Sequence, residues 1–337
     1  MKHKLVSIMM ALLVLAGTLA GCSQSGEVTS SKDENPEAIT LKVAYMPNYG
    51  SLWAIENAIA QGYLDEEGIT VELTEFQDGP TIIAAMESGS IDVGYIGQGA
   101  HKLCIQGKAS IFALSHISNG DAVIGGPNVK TIADLKGKKV AYSSGTSSED
   151  ILVNTLAKEG LTLKDIKAYD MDAASIVTAI LSGGVDAAAT WSPNSLKILE
   201  ELDGATLLAN NLTFADTTVS LASWIATPDY AANNHDTLVK FTRALFKAMD
   251  YSAKDHQEET AELIAKQVAQ DKDTVYAQRG DAEWLTGKEV AEGVKDGTVK
   301  GYYELQKQNF IDSGAVDVNP DVSKYVLFDI MTEAGKY

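Results

Sequence analysis

The feature that most constrains this chain is an internal echo. Ile82-Ile-Ala-Ala-Met-Glu-Ser-Gly-Ser-Ile-Asp92 is answered by Ile176-Val-Thr-Ala-Ile-Leu-Ser-Gly-Gly-Val-Asp186. Identities fall at Ile82/Ile176, Ala85/Ala179, Ser88/Ser182, Gly89/Gly183 and Asp92/Asp186. Each copy reads as a helix, a glycine stop, a short turn and an apolar strand. The strands run into Gly97-Gln-Gly-Ala100 and Trp191-Ser-Pro-Asn194. Two α/β lobes of related topology follow, each presenting a loop from its strand ends. In open α/β sheets that carboxyl edge is where ligands bind.

The flanking pattern fits. Thr40 to Tyr45 alternates as a strand, Met46 to Gly50 reads as a loop, and Leu52 to Gln61 as a helix stopped by Gly62. Val71 to Phe76 is a second strand, and Thr81 to Glu87 a helix with Pro80 at its first position. Ile91 to Ile96 is a third strand. Strands alternating with helices at this spacing imply a mostly parallel sheet. Ile111 to Ile124, with its polar insert His116 to Asp121, can carry the chain between lobes, and Ser220 to Ala226 reads as a returning strand. The expected division is 39–121 with 220–337 for lobe 1 and 122–219 for lobe 2. From Asp236 onward the chain is largely helical: Leu238, Val239, Phe241, Thr242, Leu245, Phe246 and Met249 make one apolar stripe. Glu258–Ala269, Tyr302–Asp312 and Ser323–Ala334 read as further helices.

One junction stands out chemically. An apolar run ends at Tyr142, followed by Ser143, Ser144, Gly145, Thr146, Ser147 and Ser148, and then by helical spacing from Ile151. The first N–H groups of a helix lack partners within it, and its dipole makes that end partly positive. Hydroxyls beside free N–H groups can seat an oxyanion. Thr146 with Glu149 also has the spacing of a capping box, which alone could satisfy the helix end.

Residues 1–21 read as a secretory signal. Lys2 and Lys4 precede an apolar run from Leu5 to Leu19, then Ala20 and Gly21. The run is short for a membrane span. Leu19-Ala-Gly-Cys22 resembles a bacterial lipobox, which implies cleavage before Cys22 and diacylation of its thiol, a stable anchor to the outer face of a membrane. Ser23 to Ala38, rich in Ser, Glu, Asp and Lys, reads as a flexible tether, so 22–38 forms one anchoring segment. With Cys22 acylated, Cys104 has no partner and is expected to be a buried apolar residue. His101 and Cys104 together are too few for a metal site. The formal charge is −19, and it becomes −21 without Lys2 and Lys4. Such a chain repels nucleic acid and anionic surfaces, so an anion site would have to be local.

These residues bring the chain close to a known family. Ala44-Tyr-Met-Pro47, Ala84 to Gly94, Thr131 to Ala141, Ser144-Gly-Thr146, Val185-Asp186 and Trp191-Ser-Pro193, in order, resemble the solute-binding proteins of ABC importers for aliphatic sulfonates, taurine and nitrate. The resemblance implies a two-lobed type II periplasmic-binding-protein fold, each lobe a mixed, mostly parallel sheet flanked by helices, with two crossover strands. It implies a monomer that takes no cofactor or metal, closes on one small molecule and delivers it to permease subunits. Ligand-binding positions carried over are Asn48, Tyr49, Gln98, Gly99, Ser144, Thr146, Ser147 and Trp191. Trp53 and Trp224 join them as aromatics near strand ends, and Asp121 as an amine partner. Trp191-Ser-Pro-Asn194 replaces the family's more usual acidic-Pro-aromatic ending, and Glu149 and Asp150 follow the candidate anion site directly. The ligand implied is an aliphatic sulfonate or taurine-like molecule, with a pyrimidine, quaternary amine or nitrate as alternatives. A surface sensor and a biosynthetic enzyme on the same scaffold are the readings of another class. No HExxH, nucleophile elbow or P-loop appears, so no catalysis is expected.

Overall fold

The computed structural model describes residues 39–337. The signal, Cys22 and the tether lie outside the described residues. Strands β1 (Ile39–Tyr45), β2 (Ile69–Glu75), β3 (Val93–Ile96) and β4 (Ser110–Ser118) belong to one sheet. The chain then enters a second sheet built from β5 (Asp121–Gly125), β6 (Lys139–Tyr142), β7 (Lys167–Asp170), β8 (Ala187–Trp191) and β9 (Thr206–Asn210). It returns to the first with β10 (Leu221–Ala226) and β11 (Ala282–Trp284).

The orders are β11-β4-β10-β3-β1-β2 and β7-β6-β8-β5-β9. The echo is visible in them. β1 lies between β2 and β3 as β6 lies between β7 and β8, all parallel. β3 and β8, which follow the two copies of the repeat, each pair antiparallel with a strand arriving from the other lobe, β10 and β5. The sheets are therefore less parallel than the sequence suggested. Parallel pairing is confined to the β–α–β units, and the crossover strands enter in the opposite sense.

Packing follows the patterns that suggested it. Along β1 the side chains of Leu41 and Val43 are buried while Thr40 and Lys42 are exposed. The helix His235–Ser252 turns its predicted stripe wholly inward, against the lobe 1 core. Each such aliphatic or aromatic side chain removed from water contributes about 1.5–3 kcal/mol. Lobe 2 has a cluster on each face of its sheet, one around Leu152 and Leu156, the other around Ile176 and Ile180. Cys104 is fully buried. No helix among the described residues is long and apolar enough to cross a membrane.

Candidate functional site

The carboxyl ends of the parallel strands in the two sheets face one cleft, whose empty space, mouth included, is about 700 Å³. After β1 come Met46, Asn48 and Gly50; after β2, Asp78 to Pro80; after β3, Gly97 to Ala100. The second lobe supplies Thr146 and Ser147 after β6, and Trp191 and Ser192 after β8. The crossovers add His116, Ser118, Gly120, Asp121 and Ser220, and the C-terminal region adds Gln278, Asp281 and Trp284.

The lobes touch at the cleft. A Cβ on Gly99 would lie 2.1 Å from the carbonyl carbon of Thr146 and 2.5 Å from the Ser147 nitrogen, so only glycine fits there. Beside this contact Lys102, on the short helix His101–Ile105 of lobe 1, donates to Asp150 Oδ1 at 2.8 Å and lies 3.5 Å from Glu149 Oε2. Both carboxylates stand in the first turn of the lobe 2 helix Ser147–Ala157. This interlobe pair is largely buried. Burial pushes the Asp150 carboxyl up to about 6, even though Lys102 pulls the other way.

The helix start at 146–150 is organised differently from a capping box. Thr146 Oγ1 accepts from the Ser148 N–H at 3.2 Å and donates to the Ser143 carbonyl at 2.8 Å. Glu149 reaches back one residue further, accepting from the Gly145 N–H at 2.9 Å. Ser148 turns inward and donates to the Ala189 carbonyl, tying the helix to β8. Among the described residues the N–H groups of Thr146 and Ser147 donate to no protein atom.

Asp121 is the junction of the two crossovers. Its Oδ1 accepts from Ser147 Oγ at 2.5 Å, and its Oδ2 from Asn211 Nδ2 at 2.9 Å and Ser220 Oγ at 3.2 Å. Burial raises its pKa against the pull of these three donors. Asp281 is tethered close by, its carbonyl accepting from the Asn119 N–H at 2.6 Å. Burial pushes its carboxyl up to about 6, with the neighbouring Ser192 hydroxyl opposing and the Asp121 charge adding to the rise. His116, on β4 across from Trp284 of β11, is buried. Desolvation drops it to about 3, so it is a neutral imidazole, with Ser115 Oγ 3.1 Å from Nδ1 and Tyr95 Oη 3.4 Å from Nε2. A Cβ on Gly50 would come within 2.9 Å of the His116 ring, so glycine lets the start of the helix Tyr49–Ala60 sit close against it.

Of the sequence-predicted residues, Asn48, Gln98, Gly99, Asp121, Thr146, Ser147 and Trp191 line the cleft. Tyr49, Trp53 and Trp224 do not; they are core residues. Asn48 caps the helix Tyr49–Ala60, accepting from the Ser51 N–H, so Tyr49 belongs to that helix rather than to a loop. Its ring packs at 5.0 Å from that of Trp284. Trp53 donates to Ser115 Oγ, and Trp224 lies between Tyr95 and Phe241. Ser144 opens onto a separate groove on the far side of the Gly99 contact, its N–H held by Asp170. Sequence reasoning missed His116, Ser192, Gln278, Asp281 and Trp284. The last three arrive with β11, too short to show any periodicity. Among the described residues no group of three or more His, Cys, Asp or Glu side chains could hold a metal ion.

Comparison with known proteins bears on this geometry. Residues 54–259 match the family model described as NMT1/THI5 like. A candidate binding protein of Brucella abortus (strain 2308) is 30% identical over 294 residues, 87% of this chain and 92% of that protein. A candidate aliphatic sulfonates-binding protein of Escherichia coli (strain K12) is 28% identical over 263 residues, covering 74% of this chain and 77% of that one. In three dimensions the chain is similar to the crystal structure of the periplasmic aliphatic sulphonate binding protein SsuA from Escherichia coli. The TM-score is 0.66 at 22% identity, over 87% of this chain and 99% of that one.

Proposed function

The chain belongs to the NMT1/THI5-like family, and on that premise we propose that it is the extracytoplasmic solute-binding component of an ABC importer. It captures an aliphatic sulfonate or taurine-like organic solute between its lobes and hands it to a membrane permease. The observation that carries this reading is the cleft itself. Strand-end loops from two topologically matched sheets line one cleft, and the lobes meet beside it at Gly99 and Thr146. Acylation of Cys22 would hold a single copy of the chain at the membrane surface.

The mechanism is lobe closure. Among the described residues the chain passes between lobes only near Gly120 and near Ser220, and both passages meet at Asp121. Rotation there parts Gly99 from Thr146 and Lys102 from Asp150, and opens the cleft. A solute that touches both lobes favours the closed form by its differential contacts. The cleft's histidine is neutral and held within the wall by Ser115 and Tyr95, which suits a binding rather than a catalytic role.

The test is a thermal-shift screen of residues 22–337 against ethanesulfonate, taurine, nitrate, choline and simple pyrimidines, followed by calorimetry. A cleft ligand should raise the melting temperature and bind one to one. The reading fails if no small molecule, including those in a crude metabolite extract, binds the folded protein.

A further inference from the structure

The lining of the cleft says more about its occupant. We propose that the solute carries a nitrogen cation bearing N–H groups, an ammonium or protonated amidine, seated against Asp281 with Asp121 behind it. This rests on the solute-binding reading above and narrows it: an anion without such a nitrogen is rejected.

The cleft offers no positive side chain. Among the described residues no Lys or Arg lines it, and the one lining histidine is neutral. The positive ends of the helices around it are already met by the protein's own carboxylates. Asp78 accepts from the Thr81 N–H, Glu149 from the Gly145 N–H, and Asp121 from the Ser147 hydroxyl. What remains of the anion site is the pair of N–H groups on Thr146 and Ser147, enough for one end of a zwitterion beside the carboxylates. The formal charge of −19 favours approach of a cation.

The hydrogen-bond account identifies the seat. Asp281 Oδ2 is buried and has no partner among the described residues. Ser192 Oγ is likewise unpartnered, on a residue only 8% exposed. The two side chains flank one spot: a Cβ on Gly120 would lie 3.2 Å from Asp281 Cβ and 3.3 Å from Ser192 Cβ. Buried polar atoms of this kind normally find partners. Asp121, by contrast, is fully engaged by Ser147, Asn211 and Ser220, and contributes charge rather than a free acceptor. Tyr95, Trp191 and Trp284 supply aromatic walls, to which a cation is attracted. A quaternary ammonium would satisfy the charge but give Asp281 Oδ2 no proton, so the open acceptor selects for N–H.

The experiment uses residues 22–337, unfolded, dialysed free of carried-over solute and refolded. The protein is incubated with the low-molecular-weight fraction of yeast extract, washed, and the retained molecule identified by mass spectrometry. The expected molecule has a basic N–H nitrogen. Asp281→Asn should bind it about 10- to 100-fold more weakly, the loss expected for a charge-assisted hydrogen bond. Its N-permethylated analogue should lose comparably on the wild type. Should Asp281→Asn fail to fold, Ser192→Ala and the permethylated analogue carry the test. A retained anion with no basic nitrogen, or undiminished binding to a folded Asp281→Asn, overturns the inference while leaving solute capture intact. Retention of nothing by the folded wild type removes both.

Discussion

Replacing Lys102 by Met removes the charge that joins the lobes and keeps the apolar stem. In the closed form Asp150 then faces burial without its partner, with Glu149 and the more distant Asp121 as the remaining charges acting on it. The penalty has a ceiling, because Asp150 can take up a proton. At pH 7 that proton costs about 4 kcal/mol relative to an open form whose carboxyl titrates near its ordinary value. The wild-type closed form, its carboxyl already pushed up to about 6, bears about 3 kcal/mol of this. Lys102→Met therefore adds about 1 kcal/mol at pH 7, a five- to tenfold loss of solute affinity if the bound state is closed. The ratio of wild-type to variant affinity should depend on pH. The closed form holds its Asp150 proton more tightly than the open form, so closure gains as pH falls from about 6 toward about 4. Below pH 5 both proteins carry that proton and the ratio should approach one; at pH 8 it should grow toward about a hundred. Calorimetry at pH 5, 7 and 8 reads this directly, and taking the ratio cancels the titration of groups the two proteins share. Adding Asp150→Asn should abolish the pH dependence of the ratio. A ratio that is flat with pH, or still near one at pH 8, would refute the latch.

Three further outcomes follow from the same geometry. Gly99→Ala should leave the melting temperature of the solute-free protein nearly unchanged, because the open form has room for a methyl group; solute affinity should fall at least tenfold, because a closed lobe contact at 2.1 Å has none. An unaffected affinity would place the bound state in another geometry. Trp191→Ala should weaken binding by about 1–3 kcal/mol if its ring stacks on the solute, and unchanged calorimetry would reduce it to packing. Because burial pushes the Asp281 carboxyl up to about 6 and a bound cation would lower that value, binding below about pH 7 releases a proton. Affinity for an N–H cation should accordingly be complete above about pH 7 and fall by up to about tenfold per unit below 6. Affinity that rises on acidification would count against a cationic head group at Asp281.

Much of this architecture was legible in the residues. The repeat at Ile82 and Ile176 ends each time in a glycine stop and an apolar run, and those signals are local. They locate β3 and β8, and hence the loops holding Gln98 and Trp191. The helix stripe from Leu238 to Met249 was legible for the same reason. Tyr49 and Trp53 were harder. Both follow a strand closely, but Asn48 caps a helix whose period turns them into the core, and only packing decides between wall and interior. β11 left no trace, since three residues show no alternation. Its place in the sheet comes from pairing with β4 across a long stretch of intervening chain. That pairing delivers Asp281 and Trp284, so the most informative carboxylate of the cleft was invisible to any local reading. The sheets are mixed with crossover strands as expected, but antiparallel pairing takes a larger share than the residues suggested. β5 and β10 are local apolar runs in sequence, and their antiparallel sense is set by their arrival from the opposite lobe.

A crystal structure of the protein with its retained solute tests most directly whether one solute is held between two closed lobes. The predicted result is solute density in contact with lobe 1 near Gln98 and Asp281 and with lobe 2 near Thr146 and Trp191, with Lys102 still paired to Asp150. Solute found outside the cleft, or inside it against one lobe alone with Gly99 and Thr146 apart, would contradict it.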